Sequence, residues 1–243
     1  MKKIIIVVLC LPMFGGAQSL IGGKNILRWN LGSLALKNYH FTYEKSLTKP
    51  LSLSVSYRTM PKGSVPFQSQ LEKAINSPDV NFSNFQMGNT AWTFEGRFYL
   101  GFGRMKGFYL APYLRFANFD LSAPVKYTVT SGPGAGQSKE ANFVGNVKST
   151  SPGLMIGWQF QLATKFVMDI QLIGGHYGHS NGDLNFAATL SQPEQDALKQ
   201  SLTNIKPDPF KFTYTVNGSG AQIKTDGPWA GIRGANIGIG FRF

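Results

Sequence analysis

The chain has 243 residues and carries 24 Lys and Arg against 12 Asp and Glu, a formal net charge of +12. Only 15% of its residues are charged, against roughly 25% in a typical soluble domain, while glycine and aromatic residues are abundant. The mean hydropathy of −0.11 and the lack of an apolar run near the roughly 18 residues of a spanning helix exclude a helical membrane protein. Its 42% of hydrophobic residues disfavour disorder, so the composition indicates a folded β protein.

Residues 1–17 have the parts of a secretory signal peptide: two lysines, an apolar stretch and a small-residue cleavage site that ends at Ala17. We expect cleavage after Ala17, which leaves residues 18–243 as a single exported domain. Cys10 then leaves with the signal peptide, so the mature chain contains neither a disulfide nor a thiolate metal site.

From residue 27 onward, apolar residues alternate with polar or small residues, and this period of two indicates β-strands. Trp92 and Phe94, for example, alternate with Glu95 and Arg97. Burying Glu and Arg in the core of a soluble protein is energetically unfavourable. In a narrow barrel lumen the two can form an ion pair, while the apolar parity faces lipid, so the pattern favours a membrane barrel. The alternation covers the segments 27–33, 39–46, 51–59, 90–102, 107–120, 149–162, 165–177 and 231–243.

This pattern predicts an all-β fold, an eight-stranded antiparallel transmembrane β-barrel, because bacterial barrels close with an even number of strands. Short connections at 47–50, 103–107 and 163–165 alternate with long ones at 60–89, 121–148 and 178–230. Outer-membrane barrels place short turns in the periplasm and long loops outside, so we expect both termini in the periplasm. A soluble lipocalin-like barrel, the alternative, would have the opposite faces.

Two of the long loops contain patterns of short helices. Ser191 and Glu194 have the spacing of a capping box, and Ala197, Leu198 and Leu202 follow on one helical face. A similar pattern extends over 67–75. These apolar faces either pack on the protein's own loops or bind a partner.

An eight-stranded barrel has an interior that side chains fill, so we expect no diffusion pore. The inward parity carries charged residues that can form a paired lumen network. That network is either a structural plug or a proton-linked gate. Its predicted members are Arg28, Glu44, Arg58, Glu95, Arg97, Arg115 and Asp169.

The hairpin between the fourth and fifth predicted strands allows a prediction of register. If Gly103 and Gly107 are partners across a three-residue loop, Glu95 lies opposite Arg115 and Arg97 opposite Tyr113. We then expect a hydrogen-bonded ion pair between Glu95 and Arg115.

The Ala17-Gln18 junction, the short barrel and the ending Gly240-Phe241-Arg242-Phe243 resemble Bacteroidota outer-membrane barrels. The ending also resembles the β-signal read by the barrel-assembly machinery, carried here by Ile239, Phe241 and Phe243. This resemblance implies an outer-membrane location among lipids and assembly by that machinery. Four segments resemble an uncharacterised Bacteroidota family of small barrels, which implies fold and location but no activity: 29–32, 43–45, 57–61 and 107–113.

One segment resembles a catalytic site. His176, His179, Ser180 and Asp183 somewhat resemble the His-x-Ser-Asn stretch of PagL-type lipid A deacylases, which combine a His base, a Ser nucleophile and a carboxylate. The spacing departs from that pattern, because no residue separates His179 from Ser180 and neighbouring strand residues face opposite sides. A lipid A acyl hydrolase is therefore the alternative function.

The main functional expectation is a non-enzymatic barrel whose extracellular loops bind a partner protein or glycan, as an accessory subunit of an envelope complex. We expect no cofactor and no metal, because the three histidines have no carboxylate at ligand spacing. We also expect no nucleic-acid binding, because the cationic excess is not gathered on one accessible face.

Overall fold

The computed structural model describes residues 23–64, 84–101, 103–205 and 211–243. The predicted signal peptide at 1–17 and the predicted helix at 67–75 lie outside these residues. The strands are β1 (Asn25–Asn30), β2 (Tyr39–Ser46), β3 (Leu51–Ser64), β4 (Gln86–Tyr99), β5 (Gly107–Thr128), β6 (Ser138–Gln161), β7 (Phe166–Ala187), β8 (Lys211–Asn217) and β9 (Gly220–Arg242). A 3-10 helix, Leu31–Leu36, joins β1 to β2, and the α-helix α1, Gln192–Asn204, lies between β7 and β8.

All strand pairs are antiparallel, and the sheet closes into a ring of eight strands because β9 pairs with both β7 and β1. The predicted eight-stranded closure is therefore confirmed. β8 was not predicted; it lies outside the ring and pairs with the first part of β9. Both described chain ends and the β2–β3, β4–β5 and β6–β7 turns lie at one end of the ring, called the turn end below.

The period-two alternation places charged side chains inside the ring and apolar side chains outside it. Glu95 and Arg97 are buried, whereas Trp92 and Phe94 are 50% and 47% exposed on the outer surface. The predicted face assignment is thus correct for these strands, and the outer surface of the ring is apolar.

The predicted long loops at 121–148 and 178–230 are largely strands, which corrects their assignment as loops. β5 and β6 remain paired as far as Thr128 and Ser138, and β7 and β9 as far as Ala187 and Gly220. Residues 118–128, 138–148, 181–187, 211–217 and 220–226 therefore form a sheet beyond the ring, called the extension below.

The two faces of the extension reverse the chemistry of the ring. Val125 and Tyr127 lie on the inward parity of β5 and are buried, whereas Asn118, Asp120 and Lys126 lie on the outward parity. The inward side of the extension is thus apolar and its outward side mostly polar, with Val144 as an exposed exception. Because of this reversal, no single parity stays apolar along the whole length of these strands, and the alternation alone does not predict that they continue.

Helix α1 packs on the inward side of the extension. Leu198 and Leu202 are fully buried against a cluster that includes Val125, Tyr127 and Phe143. Each such side chain contributes about 1.5–3 kcal/mol by burial. The helix begins with the predicted capping box, and its apolar face packs on the protein's own strands.

The predicted register of the β4–β5 hairpin is wrong by two residues. Glu95 pairs with Tyr113 rather than Arg115, and Phe98 pairs with Leu110. A slip of two preserves the faces, so Glu95 still points inward.

The turn of this hairpin is longer than predicted because Met105 folds back into the barrel. Its φ is 47° and its side chain is 1% exposed, packed with Tyr99, Tyr109 and Met155. The Met105 carbonyl accepts a hydrogen bond from Gln159 Nε2 at 2.7 Å. The register of the β4–β5 hairpin, shifted by two residues from the predicted one, thus occurs together with burial of the Met105 side chain.

Candidate functional site

Five of the predicted charged residues form one connected group in the lumen, called the lumen network below. Arg97 lies at its centre: its Nη2 is 2.8 Å from Glu95 Oε2 and its Nη1 is 3.2 Å from Asp169 Oδ1. Arg28 Nη1 is 2.5 Å from Glu44 Oε2, and Arg97 Nη1 approaches the same oxygen at 3.5 Å. The strands β1, β2, β4 and β7 thus bring Arg28, Glu44, Glu95, Arg97 and Asp169 together.

Neutral side chains complete the network. The Tyr99 hydroxyl donates to Glu44 Oε1 at 2.7 Å, and Ser54 Oγ donates to Glu95 Oε2 at 3.2 Å. The Arg97 guanidinium lies 4.5 Å from the centre of the Tyr109 ring. These ion pairs and hydrogen bonds fill the lumen cross-section near the turn end, as expected for a ring of this size.

Arg58 and Arg115 do not join the lumen network, and the predicted Glu95–Arg115 ion pair is replaced by other contacts. Arg115 Nη1 donates to Thr93 Oγ1 at 3.3 Å, and Arg58 Nη2 donates to Asn89 Oδ1 at 2.8 Å. The Glu95 carboxylate instead binds Arg97. Both arginines lie nearer the extension than the network does.

Arg58 and Arg115 line a cavity of about 210 Å³, called the vestibule below. His40 and Arg233 line the same cavity, together with the amide side chains of residues 38, 171 and 236. Gly32 and Ser33, which precede β2, form part of its wall. The vestibule therefore lies on the side of the lumen network that faces the extension.

Arg233 is the vestibule residue that the sequence pattern misplaced. It shares its odd number with the outward-facing Ile237 and Ile239, yet its side chain points inward, 10% exposed, with Nη1 3.5 Å from Glu95 Oε1. Ala235 has a left-handed φ of 50°, and this residue interrupts the alternation between Arg233 and Asn236. An arginine on the same parity as the outward-facing isoleucines was the signal in the sequence that could have revealed this interruption.

The histidine segment does not assemble a catalytic triad in the structure. It lies within the continuous strand β7, where His179 is outward and Ser180 is inward and buried. His179 Nε2 is 3.1 Å from Asp226 Oδ2, whereas Asp183 accepts from Gln222 Nε2 at 3.0 Å. His176 contacts the Tyr113 hydroxyl at 3.1 Å inside the ring. Base, nucleophile and carboxylate therefore have separate partners.

The three residues of the predicted assembly signal lie on the outer surface. Ile239, Phe241 and Phe243 are 42%, 41% and 55% exposed. The backbone of Phe243 also joins the two ends of the ring, because its N–H donates to Asn25 O at 2.9 Å and its carbonyl accepts from Asn25 N at 3.0 Å.

Within the part of the chain that the structure describes, no group of three or more His, Cys, Asp or Glu side chains could hold a metal ion. Nor does any described helix have the length and apolar character needed to cross a membrane. No family model and no curated protein sequence matches the chain.

Proposed function

We propose that the protein is a non-enzymatic bacterial outer-membrane β-barrel with a closed lumen, whose extracellular part binds a partner protein or glycan. In this role the barrel anchors the extension in the membrane as an accessory subunit of an envelope complex. The main support for the proposal is that the outward side chains of neighbouring strands change from apolar to polar at nearly the same level of the sheet.

The change occurs where the ring meets the extension. On β5 the outward residues are apolar up to Phe116, whereas Asn118, Asp120, Lys126 and Thr128 beyond it are polar. On the neighbouring β6, polar Thr150 pairs with Phe116 and Lys148 with Asn118, so the change on the two strands lies within one residue pair of the same height. An apolar belt with one sharp edge around a ring of strands is the surface that a bilayer requires.

The height of the belt also fits a bilayer. The outward apolar residues of β5 extend from Phe108 to Phe116, a length that agrees with the roughly 9–11 residues of a transmembrane strand. Aromatic side chains such as Trp158, Phe160 and Phe166 lie near the turn end, where aromatic girdles of such barrels meet the headgroups.

The lumen network supports a closed barrel rather than a pore. Arg97 contacts carboxylates from three other positions of the ring wall, and its guanidinium stacks on Tyr109. Opening a passage here requires separating buried charges, at about 3–5 kcal/mol for each broken pair. We therefore favour the structural plug over the proton-linked gate.

The outward face of the extension supports a binding role. It carries neighbouring polar residues across several strands, and Asn146, Asp183 and Lys224 lie side by side on β6, β7 and β9. The apolar inward face is already covered by α1, so the polar face remains for a partner. Amide, carboxylate and ammonium groups are suited to hydrogen bonding with a glycan or a polar protein surface.

Flotation of the refolded chain with lipid vesicles, combined with a gel comparison of unheated and heated samples, tests the membrane part of the proposal. We expect the protein to float with the vesicles and to shift in mobility on heating. Recovery in the soluble fraction would contradict it.

Affinity capture of the tagged full-length protein from detergent-solubilised membranes tests the binding part. We expect one specific protein or glycan to be captured by the native chain and lost with Asp183→Ala combined with Lys224→Ala, because both side chains face outward on the extension. Lys45→Ala combined with Lys49→Ala, at the turn end, is the matched control and should retain the partner. Equal capture by both variants would contradict binding at this face.

Mass spectrometry of lipid A from cells with and without the gene tests the non-enzymatic assignment. We expect identical acyl chains, because His179, Ser180 and Asp183 bind separate partners. Loss of an acyl chain only when the gene is present would instead establish the hydrolase.

A further inference from the structure

We propose that the vestibule binds a phosphoryl group, either as free phosphate or on a phosphorylated sugar. The groups that carry this inference are the guanidiniums of Arg58, Arg115 and Arg233, which line one cavity of about 210 Å³. This site lies inside the ring and is separate from the outward face of the extension, so it does not rest on the proposed partner binding.

The first argument is charge balance. The carboxylates of Glu44, Glu95 and Asp169 are already bound by Arg28 and Arg97 in the lumen network. Of the three vestibule arginines, only Arg233 forms an ion pair with a residue that the structure describes. Its partner is Glu95, at 3.5 Å, and the same carboxylate binds Arg97 more closely, at 2.8 Å.

Arg58 and Arg115 are therefore left with neutral partners. Their hydrogen-bond acceptors are Asn89 and Thr93, and Arg115 is only 6% exposed. Burying a cation without a counter-charge is unfavourable because the cation loses its hydration. An anion that binds in the vestibule supplies the missing counter-charge and therefore stabilises the buried arginines.

The second argument is the space between the arginines. Four of the residues that line the vestibule beside the arginines are small: Gly32, Ser33, Gly234 and Ala235. These positions leave the centre of the ring to the cationic side chains.

The third argument is the hydrogen-bonding capacity that the vestibule leaves unused. Arg58 Nε is buried without a hydrogen-bond partner, and Arg233 Nη1 has only the ion-pair contact to Glu95. Guanidinium groups bind phosphoryl oxygens with paired N–H donors, and a tetrahedral dianion can accept from several such groups together. A planar monocarboxylate or a chloride satisfies fewer of them.

Access to the vestibule comes from the side of the extension. Its wall includes Gly32, Ser33 and Asn38 from the β1–β2 connection, which lies opposite the turn end. The lumen network closes the other side. A ligand therefore enters and leaves by one route and is not transported through the ring.

The test uses the full-length refolded protein in detergent and two probes, inorganic phosphate and glucose 1-phosphate. Binding is followed by ³¹P line broadening and by the thermal unfolding midpoint, at constant ionic strength set with chloride. We expect both signals to saturate with phosphate but not with acetate. Stronger binding of glucose 1-phosphate identifies a phosphorylated sugar as the source, and equal or weaker binding identifies free phosphate.

Arg115→Gln is the diagnostic variant, because Arg115 is a vestibule residue outside the lumen network. We expect phosphate affinity to fall about tenfold or more, since a charged hydrogen-bond donor is lost. Arg104→Gln, at the turn end, is the matched control and should bind as the native protein does. Gel mobility before and after heating verifies that each variant is folded.

Two results would overturn the proposal. One is a native protein that shows no phosphate-dependent broadening or stabilisation beyond that of acetate, a result that does not depend on any variant folding. The other is unchanged affinity in folded Arg115→Gln. Neither result bears on vesicle flotation or partner capture, so failure of this site is distinguishable from failure of the proposed function.

Discussion

At the residue scale, the buried arginines fall into two groups whose substitution is expected to change stability by different amounts. Arg97 is bound to Glu95 and Asp169, so Arg97→Gln leaves carboxylates buried without their main partner. We expect the free energy of unfolding to fall by about 3–5 kcal/mol. Urea titration of the folded protein in detergent, followed by tryptophan fluorescence, measures this change.

Arg115→Gln provides the contrast in the same assay. Because Arg115 binds Thr93 rather than a carboxylate, its loss removes an unbalanced charge, and we expect little loss of stability without phosphate. Similar destabilisation by both substitutions would mean that Arg115 is part of the network after all.

The residues of the lumen could be largely predicted from alternation alone. Arg28, Glu44 and Asp169 lie inward and buried because period two defines the face of each residue in a regular strand. Arg233 and the β4–β5 register were missed because each depends on a local departure from regularity. One is the left-handed Ala235, and the other is the inward turn of Met105.

At the scale of elements, α1 is stabilised at its first turn by a partly buried carboxylate. Glu194 accepts hydrogen bonds from Lys139 and from the Ser191 hydroxyl and backbone, and these contacts lower the pKa of its carboxyl to about 2. The stabilisation is therefore fully present above the ordinary pKa of about 4.5 and is lost as the pH falls from there towards 2.

Hydrogen exchange of the α1 amides as a function of pH measures this effect. After correction for intrinsic exchange rates, we expect constant protection between about pH 7 and pH 5, and decreasing protection below pH 4.5. Glu194→Gln should remove the pH dependence. A native helix that is equally protected at pH 3 and pH 7 would show that the capping box contributes nothing to it.

Phe243 extends the pairing of β9 with β1, because its backbone exchanges two hydrogen bonds with Asn25. Its side chain is 55% exposed on the apolar outer surface, so Phe243→Asp places a charge where we propose lipid. We expect assembled protein in the outer membrane to fall several-fold, measured by heat-dependent gel mobility. Asn217→Asp, in the extension, is the control, and equal amounts of both variants would contradict an assembly role for the ending.

The strands beyond the ring could not be assigned from the sequence because the outward parity of these strands is no longer apolar there. Alternation continues through Val125 and Tyr127, but the apolar parity is now the inward one. The partner of that parity is α1, which lies far away in the sequence. The capping box revealed the helix, whereas its packing site depends on contacts between distant segments.

At the scale of the whole molecule, the chain combines two opposite arrangements of polarity on shared strands. In the ring, charges are inside and apolar residues outside; in the extension, the apolar residues are inside, under α1, and the polar residues outside. Four long strands, β5, β6, β7 and β9, pass through both parts. This division is the central reason for proposing a membrane-embedded ring and an aqueous extension.

The native tryptophans test this claim most directly. Trp92 and Trp158 lie on the outer surface of the ring, 50% and 43% exposed, whereas Trp229 packs against Phe119 with ring centres 4.9 Å apart. Single-tryptophan variants, with phenylalanine at the other positions, are reconstituted in vesicles of phosphatidylcholine brominated on its acyl chains. We predict strong quenching of Trp92 and Trp158 and little quenching of Trp229. Equal fluorescence of all three variants in brominated and ordinary lipid would contradict a membrane-embedded ring.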